Sequence, residues 1–272
     1  MDDLIFFLKE DLQDIGDITT NGLFSSETAE AVILVKEPCV LAGIEEAAQV
    51  FEIKGARIES SYKDGDYVSD SSVIAKVSGP VRSILSAERV CLNILGRMSG
   101  IATQTKSVVD LCRTKSKTVE IAATRKTTPG FRRFEKKAVV LGGGISHRMG
   151  LYDAIMIKDN HLKLIGSVEA AIKIMRASMV DLPIEIEVEN QEDAITAATF
   201  HVDVIMLDNI PAELAESVTK KIKKISPFTT VEISGGITKN NILNYAGFAD
   251  RISLGMLTHT IQNIDFSLEI MK

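Results

Sequence analysis

The sequence has few cysteines, no positive balance of charge and no long apolar run, and each shortage removes a class of function. Its 272 residues hold three cysteines, at Cys39, Cys91 and Cys112. They are odd in number, far apart and form no CxxC pair. That argues against a disulfide framework or a zinc site and for a reducing cytosol. The formal net charge is -6 at pH 7, with a pI of about 5.4, so no global positive field would draw in a nucleic acid. The longest apolar run near the start, Leu4 to Leu8, is too short for a signal-peptide core and far too short to span a bilayer. A soluble, cytoplasmic protein is expected. Four histidines and no Ser-His-Asp arrangement leave nucleophilic catalysis without support. The stretch from Asp64-Gly65-Asp66 to Gly79 is similar to the hammerhead turns of biotinyl or lipoyl carriers. No Met-Lys pair stands there to be modified.

What is present reads as a globular chain in two parts. Hydrophobic residues make up 45% and charged residues 25%, enough to bury a substantial core. Residues 1–108 mix a short amphipathic helix and a polar turn (Gly16-Asp17-Ile18-Thr19-Thr20) with strands near 31–36, 57–61 and 67–77. A helical segment runs from Ile84 to Leu111. We take this part as an N-terminal α+β sandwich domain. Residues 109–272 are read as the second domain, with the last few residues free to pack back on the first. Short β-branched runs recur there: Val119–Ala123, Ala154–Ile157, Ile184–Val188, Val204–Leu207, Thr230–Ile233 and Arg251–Leu254, with helix-like segments between most of them. Repeated strand-helix units imply a parallel sheet covered by helices. Six in a row point to an open α/β barrel of the TIM type, with a doubly wound sheet as the alternative.

The residues that end these runs carry the chemistry. Thr124, Arg125 and Lys126 follow the first, Lys158 to His161 the second. Glu185, Glu187 and Glu189 belong to the third, Asp208 ends the fourth, Ser234, Gly235 and Gly236 the fifth, Ser253 and Gly255 the sixth. In a parallel barrel all these ends meet at one rim. Residues 113–137 hold nine Lys or Arg and two Glu. Lys115, Lys117 and Lys136 read as a solvated face, while Arg125 and Lys126 abut a buried strand and call for a polyanionic ligand. Ser234-Gly235-Gly236 follows a strand and is read as opening a helix, which would suit a phosphate, or as a plain turn. Gly142-Gly143-Gly144 is read as a flexible loop ahead of His147-Arg148 in preference to a phosphate cradle. Glu185, Glu187 and Glu189 share one strand face, and with Asp208 they form either a magnesium site or an outward, salt-bridged edge.

Taken together, several strings resemble the quinolinate phosphoribosyltransferase family in order and spacing. They are Ser86-Ala-Glu-Arg89, Thr124-Arg-Lys-Thr-Thr-Pro-Gly130, His147-Arg148, Ile157-Lys-Asp-Asn-His161, Glu187-Val-Glu189, Leu207-Asp-Asn209, Ser234-Gly-Gly236 and Ser253-Leu-Gly-Met-Leu-Thr-His259. Lys137 departs from an aromatic residue often expected at its position, and Ile233 from a small one. The resemblance implies a homodimer, or a higher oligomer built from it, with shared active sites. It implies that Arg125, His147, Arg148 and Lys158 line the quinolinate site and that Arg89 reaches in from the partner subunit. Lys126 and Lys158 would face the pyrophosphate of 5-phosphoribosyl 1-pyrophosphate, Glu187 and Asp208 would hold ribose and Mg2+, and Ser234, Gly235, Gly236 and Gly255 would bind the 5'-phosphate. Thr124 and Ser253 fall in the same substrate-binding strings. Lys126, Lys158, Glu187 and Asp208 carry the catalytic assignments. A paralogue associated with molybdenum transport is the alternative; Arg89 and the Lys158–His161 string, altered in that group, are intact here.

Overall fold

The computed structural model describes residues 2–178 and 181–271. Its contacts divide the chain into two units. The first comprises Met1–Lys106, Thr128–Gly143 and Thr260–Lys272; the second comprises Ser107–Thr127 and Gly144–His259. The single boundary near residue 108 expected from the sequence is thus replaced by four crossings of the chain.

In the first unit, α1 (Asp2–Leu12), α2 (Ile18–Leu23) and α3 (Ile44–Lys54) accompany short strands. These are β1 (Thr28–Val35), β2 (Cys39–Val40), β3 (Arg57–Ser60), β4 (Tyr67–Val68) and β5 (Val73–Pro80). The helix α4 (Val81–Arg113) follows, with its residues up to Lys106 in this unit and those from Ser107 in the second. The expected turn at Gly16–Thr20 is the N-cap of α2, where Asp17 accepts from the Thr20 backbone N–H at 2.9 Å. Strand β1 alternates, with Ala31, Ile33 and Val35 fully buried, as a half-covered antiparallel strand should.

Two later stretches join this unit for identifiable reasons. The helix α5 (Arg132–Leu141) carries Glu135, whose side chain is wholly buried. Glu135 accepts from the Thr128 N–H at 3.2 Å, the Thr128 hydroxyl at 2.9 Å and the Arg97 guanidinium at 2.8 Å. A buried carboxylate this well satisfied is costly to unpair, so it fixes the segment. Strand β12 (Phe266–Ile270) pairs antiparallel with β1, giving the sheet order β12-β1-β5-β3. Gly142 is buried, and a Cβ there would lie 2.4 Å from the Ala102 carbonyl, so the expected flexible loop at Gly142 is instead a close helix contact. Lys136, expected on a solvated face, is buried on α5, because the helix turns Phe134 through Lys136 inward together with Ala138 and Val139. Lys137 sits among three carboxylates, 2.8 Å from Glu45, 2.9 Å from Glu46 and 2.8 Å from Asp64.

The second unit holds β6 (Glu120–Ala122), β7 (Ile155–Ile157), β8 (Ile184–Val188), β9 (Val204–Asp208), β10 (Thr230–Ser234) and β11 (Arg251–Ser253). Helices α6 (Asp159–Ile165), α7 (Val168–Ala177), α8 (Gln191–Thr199) and α9 (Ala212–Ile225) fall between β7 and β10, and α10 (Met256–His259) follows β11. All strand pairs are parallel, in the order β6-β11-β10-β9-β8-β7. This order runs round in sequence without a reversal, so the doubly wound alternative falls away. Ile184, Ile186 and Val188 are buried on one face of β8, while Glu185 and Glu187 share the other. In α9, Ala215, Val218, Thr219 and Ile222 are buried at helical spacing, the stripe by which a helix covers a sheet. Among the described residues, no helix is long and apolar enough to cross a membrane.

Candidate functional site

A cavity of about 450 Å³ opens within the second unit. It is lined from all six strands: Ala123 to Lys126 after β6, Met156 and Lys158 at β7, Glu187 of β8, Met206 and Asp208 of β9, Glu232 and Ser234 of β10 and Ser253 of β11, with His147 and Arg148. Both edge strands reach one cavity only if the sheet curls, so this is an open barrel with its site at the carboxyl ends of the strands.

Ten residues singled out from the sequence meet here: Thr124, Arg125, Lys126, His147, Arg148, Lys158, Glu187, Asp208, Ser234 and Ser253. Glu187 lines the cavity and so does not lie on an outward edge, while Glu189 is exposed. Gly235, Gly236 and Gly255 lie in the adjoining turns without lining the cavity. Gly235 and Gly236 have φ of 83° and 60°, and a Cβ on Gly235 would lie 2.3 Å from the Asn209 side-chain oxygen. Glycine there lets the turn after β10 close on the turn after β9. The helix expected after Ser234-Gly235-Gly236 is absent: only a 3-10 turn at Ile242–Asn244 follows. Any anion held there would meet turn amides rather than a helix dipole. Arg89 is exposed on α4, in the first unit.

The cavity is crowded with unlike charges. Lys158 Nζ lies 2.5 Å from Glu187 Oε2. The Lys158 N–H donates to His161 Nδ1 at 2.9 Å, which sets the entry to α6. Asp208 accepts from its neighbour Asn209 at 2.7 Å. Arg125 Nε is buried with no hydrogen-bond partner among the described residues. Arg148 contacts the Met156 sulfur at 3.0 Å. Burial, and then the adjacent Arg125 guanidinium, lower the Arg148 pKa. Both guanidiniums line the one cavity, and a guanidinium's planar fork matches carboxylate or phosphate oxygens.

In the same cavity, His147 Nε2 lies 3.2 Å from Glu185 and 3.4 Å from Glu232. Neither contact has the direction of a hydrogen bond, so the attraction is that of an ion pair. Burial opposes a charge on His147, but the two carboxylates outweigh it and push the pKa up to about 9. Burial raises the Glu185 pKa. Burial also opposes ionisation of Glu232, yet His147, Ser253 and Arg251 keep its pKa low. Glu232 was not among the residues picked out from the sequence. Its one signal there is a lone carboxylate in an apolar strand, two residues before Ser234 and so on the same face.

Comparison with known proteins gives this geometry a context. The model of the quinolinate phosphoribosyl transferase C-terminal domain matches residues 101–269, and that of the N-terminal domain matches residues 17–99. A probable nicotinate-nucleotide pyrophosphorylase [carboxylating] of Archaeoglobus fulgidus is 40% identical over 260 residues, covering 94% of this chain and 99% of its own. The Bacillus subtilis protein of the same name is 40% identical over 266 residues, covering 95% and 90%. The crystal structure of nicotinate-nucleotide pyrophosphorylase from Ehrlichia chaffeensis superposes with a TM-score of 0.92 at 36% identity, covering 98% of this chain and 97% of that one. A human nicotinic acid phosphoribosyltransferase shares the fold at 9% identity, with a TM-score of 0.65 over 99% and 73% of the two chains. Two family models laid end to end, and relatives matched along nearly their whole length at over a third identity, establish that this chain belongs to the quinolinate phosphoribosyltransferase family.

Proposed function

We propose that this protein transfers the phosphoribosyl group of 5-phosphoribosyl 1-pyrophosphate to quinolinate with loss of carbon dioxide, giving nicotinate mononucleotide and pyrophosphate for NAD biosynthesis. The observation that carries this reading is that Arg125, Arg148 and His147 line one cavity, with a buried guanidinium nitrogen of Arg125 left unpartnered among the described residues. Buried donors without partners are costly unless a ligand satisfies them. Two carboxylates on one pyridine ring would do so. The relatives are carboxylating pyrophosphorylases by name, which disfavours the molybdenum-associated alternative.

The chemistry follows from the residues. The pyridine nitrogen attacks the anomeric carbon, the bond to pyrophosphate breaks, and positive charge develops on the ribose. Glu187 and Asp208, which line the cavity, would stabilise that charge, and Lys126 and Lys158, which line it too, would neutralise the leaving group. The bond to the carboxylate beside the ring nitrogen then breaks, its electron pair passes to the pyridinium, and a proton replaces the carboxylate. Glu187 and Asp208 also fit a magnesium ion: they offer hard carboxylate oxygens on neighbouring strands but too few for a closed cage, which suits an ion that keeps waters and shares phosphate oxygens. When bound, it would supply countercharge to the pyrophosphate.

Within this reading the protein works as a homodimer in the cytoplasm, with Arg89 of each subunit completing the partner's site. Arg89 is exposed and so free to serve a second chain, and the three buried, unpaired cysteines fit a reducing compartment.

Substrate choice tests the assignment directly. With 5-phosphoribosyl 1-pyrophosphate and magnesium, quinolinate should yield nicotinate mononucleotide. Nicotinate should react at least about a hundredfold more slowly, since a missing carboxylate leaves buried donors unpaired. Equal turnover of nicotinate, followed by chromatography of the nucleotide product, would sink the reading. A second measurement concerns Arg148. Arg148→Lys keeps the charge and loses the planar fork, so quinolinate affinity should fall by about 1.5–3 kcal/mol with little change for phosphoribosyl pyrophosphate. Unchanged quinolinate affinity in titration calorimetry would remove Arg148 from the carboxylate site.

A further inference from the structure

His147 has an unusual backbone. Its φ is 53°, in the left-handed region that a non-glycine residue occupies only when its surroundings over-determine it. Its ring meets a buried charge network on the inner face of the barrel. Glu232 of β10 is the hub. Its side chain is completely buried. The Ser253 hydroxyl donates to one carboxylate oxygen, and Arg251 donates to the other at 3.2 Å. That second oxygen also lies 3.4 Å from His147 Nε2. Arg251 is itself anchored by Glu120 of β6 at 3.2 Å. Glu185 of β8 lies 3.2 Å from the same ring nitrogen, and one of its oxygens is buried without a partner among the described residues. The charged groups around His147 are therefore Glu185, Glu232 and, behind Glu232, Arg251. On the cavity side stand Arg125, Arg148, Lys126 and Lys158.

We propose that Glu232 is a positioning residue for the reaction: clamped by Arg251 and Ser253, its carboxylate holds Nε2 of the His147 ring, so that the Nδ1–H is left to meet a carboxylate of the pyridine dicarboxylate. The proposal rests on the substrate reading above. Two features favour Glu232 over Glu185 as the anchor. Glu232 has both oxygens engaged by groups other than His147, so it cannot swing away. Hydrogen bonds and neighbouring charge also keep it ionised against the cost of burial. A carboxylate fixed behind an imidazole sets which nitrogen is presented and keeps the ring cationic, as in other carboxylate–histidine pairs.

The test is Glu232→Gln in the full chain. It keeps the shape and one acceptor but removes the charge. KM for quinolinate should rise about tenfold, the size of one lost charge-assisted contact, while kcat and KM for phosphoribosyl pyrophosphate stay within about twofold. In a His147→Asn background the same change should add nothing further to quinolinate KM, because the two residues act as one unit. A Glu232 that merely supports the fold would lower Tm and the active fraction, leave quinolinate KM unmoved and act additively with His147→Asn; that pattern overturns the proposal. Should Glu232→Gln fail to fold, the 15N signals of the wild-type His147 ring still decide. Both ring nitrogens should be protonated at pH 7.5, and quinolinate should shift Nδ1 more than Nε2. A singly protonated ring, or a zinc ion bound at His147 and the two carboxylates, overturns it. A wild-type enzyme that ignores quinolinate refutes the substrate reading instead, and the ring spectra without substrate then judge the Glu232–His147 link separately.

Discussion

Lys158→Met should lower kcat/KM by about a thousandfold or more, roughly 4 kcal/mol of transition-state stabilisation, with the fold intact. Lys158 follows β7 as the N-cap of α6 and lies 2.5 Å from Glu187. Its side chain is 41% exposed, against 11% for Glu187, so the lysine can swing toward a ligand while the carboxylate stays put. Methionine matches the length of the lysine stem and carries no charge. Two losses then coincide. The leaving pyrophosphate loses a cation at the moment its charge grows. Glu187, itself mostly buried, loses its counterion and repels the same leaving group. Lys163 is the control: it pairs with Asp159 on the exposed face of α6 and lies outside the cavity, so Lys163→Met should change kcat/KM by no more than about twofold. Steady-state kinetics with quinolinate decides the matter. A loss below tenfold in Lys158→Met would remove Lys158 from the reacting centre.

Mixing two inactive variants should restore about a quarter of the wild-type activity, if sites are shared between subunits. Arg89→Ala and Lys158→Ala are each expected to be nearly inactive. Arg89 is exposed on α4 in the first unit, while Lys158 lines the cavity of the second. When the two variants are unfolded and refolded together in equal amounts, random pairing makes about half of the dimers mixed. In a two-fold dimer with crossed sites, each mixed pair has one site with both defects and one with neither. If Arg89 serves its own subunit, every site keeps one defect and the mixture stays silent. Mixed dimers confirmed by mass but without activity would refute the shared site and leave the reaction untouched.

The barrel was legible because its signals are local. Strand-helix alternation shows in short β-branched runs such as Ile184–Val188, and period-2 parity puts Glu185 and Glu187 on one face. The residues at the strand ends were legible for the same reason: a parallel barrel gathers them whatever its loops do. Less local features were misread. The string Thr124–Gly130 reads as one motif, yet Thr124–Thr127 belongs to one unit and Thr128–Gly130 to the other. Glu135, seven residues on, captures Thr128 and draws the segment away. Lys136 looked solvated because charge alone says nothing about which way a helix face turns. Ser234-Gly235-Gly236 looked like a helix start, but the close approach of Asn209 decides the turn.

The sequence by itself determined the fold class, the family and ten of the residues that line the cavity, since periodicity, parity and motif order are properties of neighbours along the chain. The tertiary structure alone decided who pairs with whom. The partners of Glu232 stand 19 and 21 residues away on the next strand, and His147 reaches it from a loop. Whether a buried carboxylate is an isolated cost or the anchor of a site depends on such neighbours, because desolvation is repaid only by charges and donors within a few ångströms.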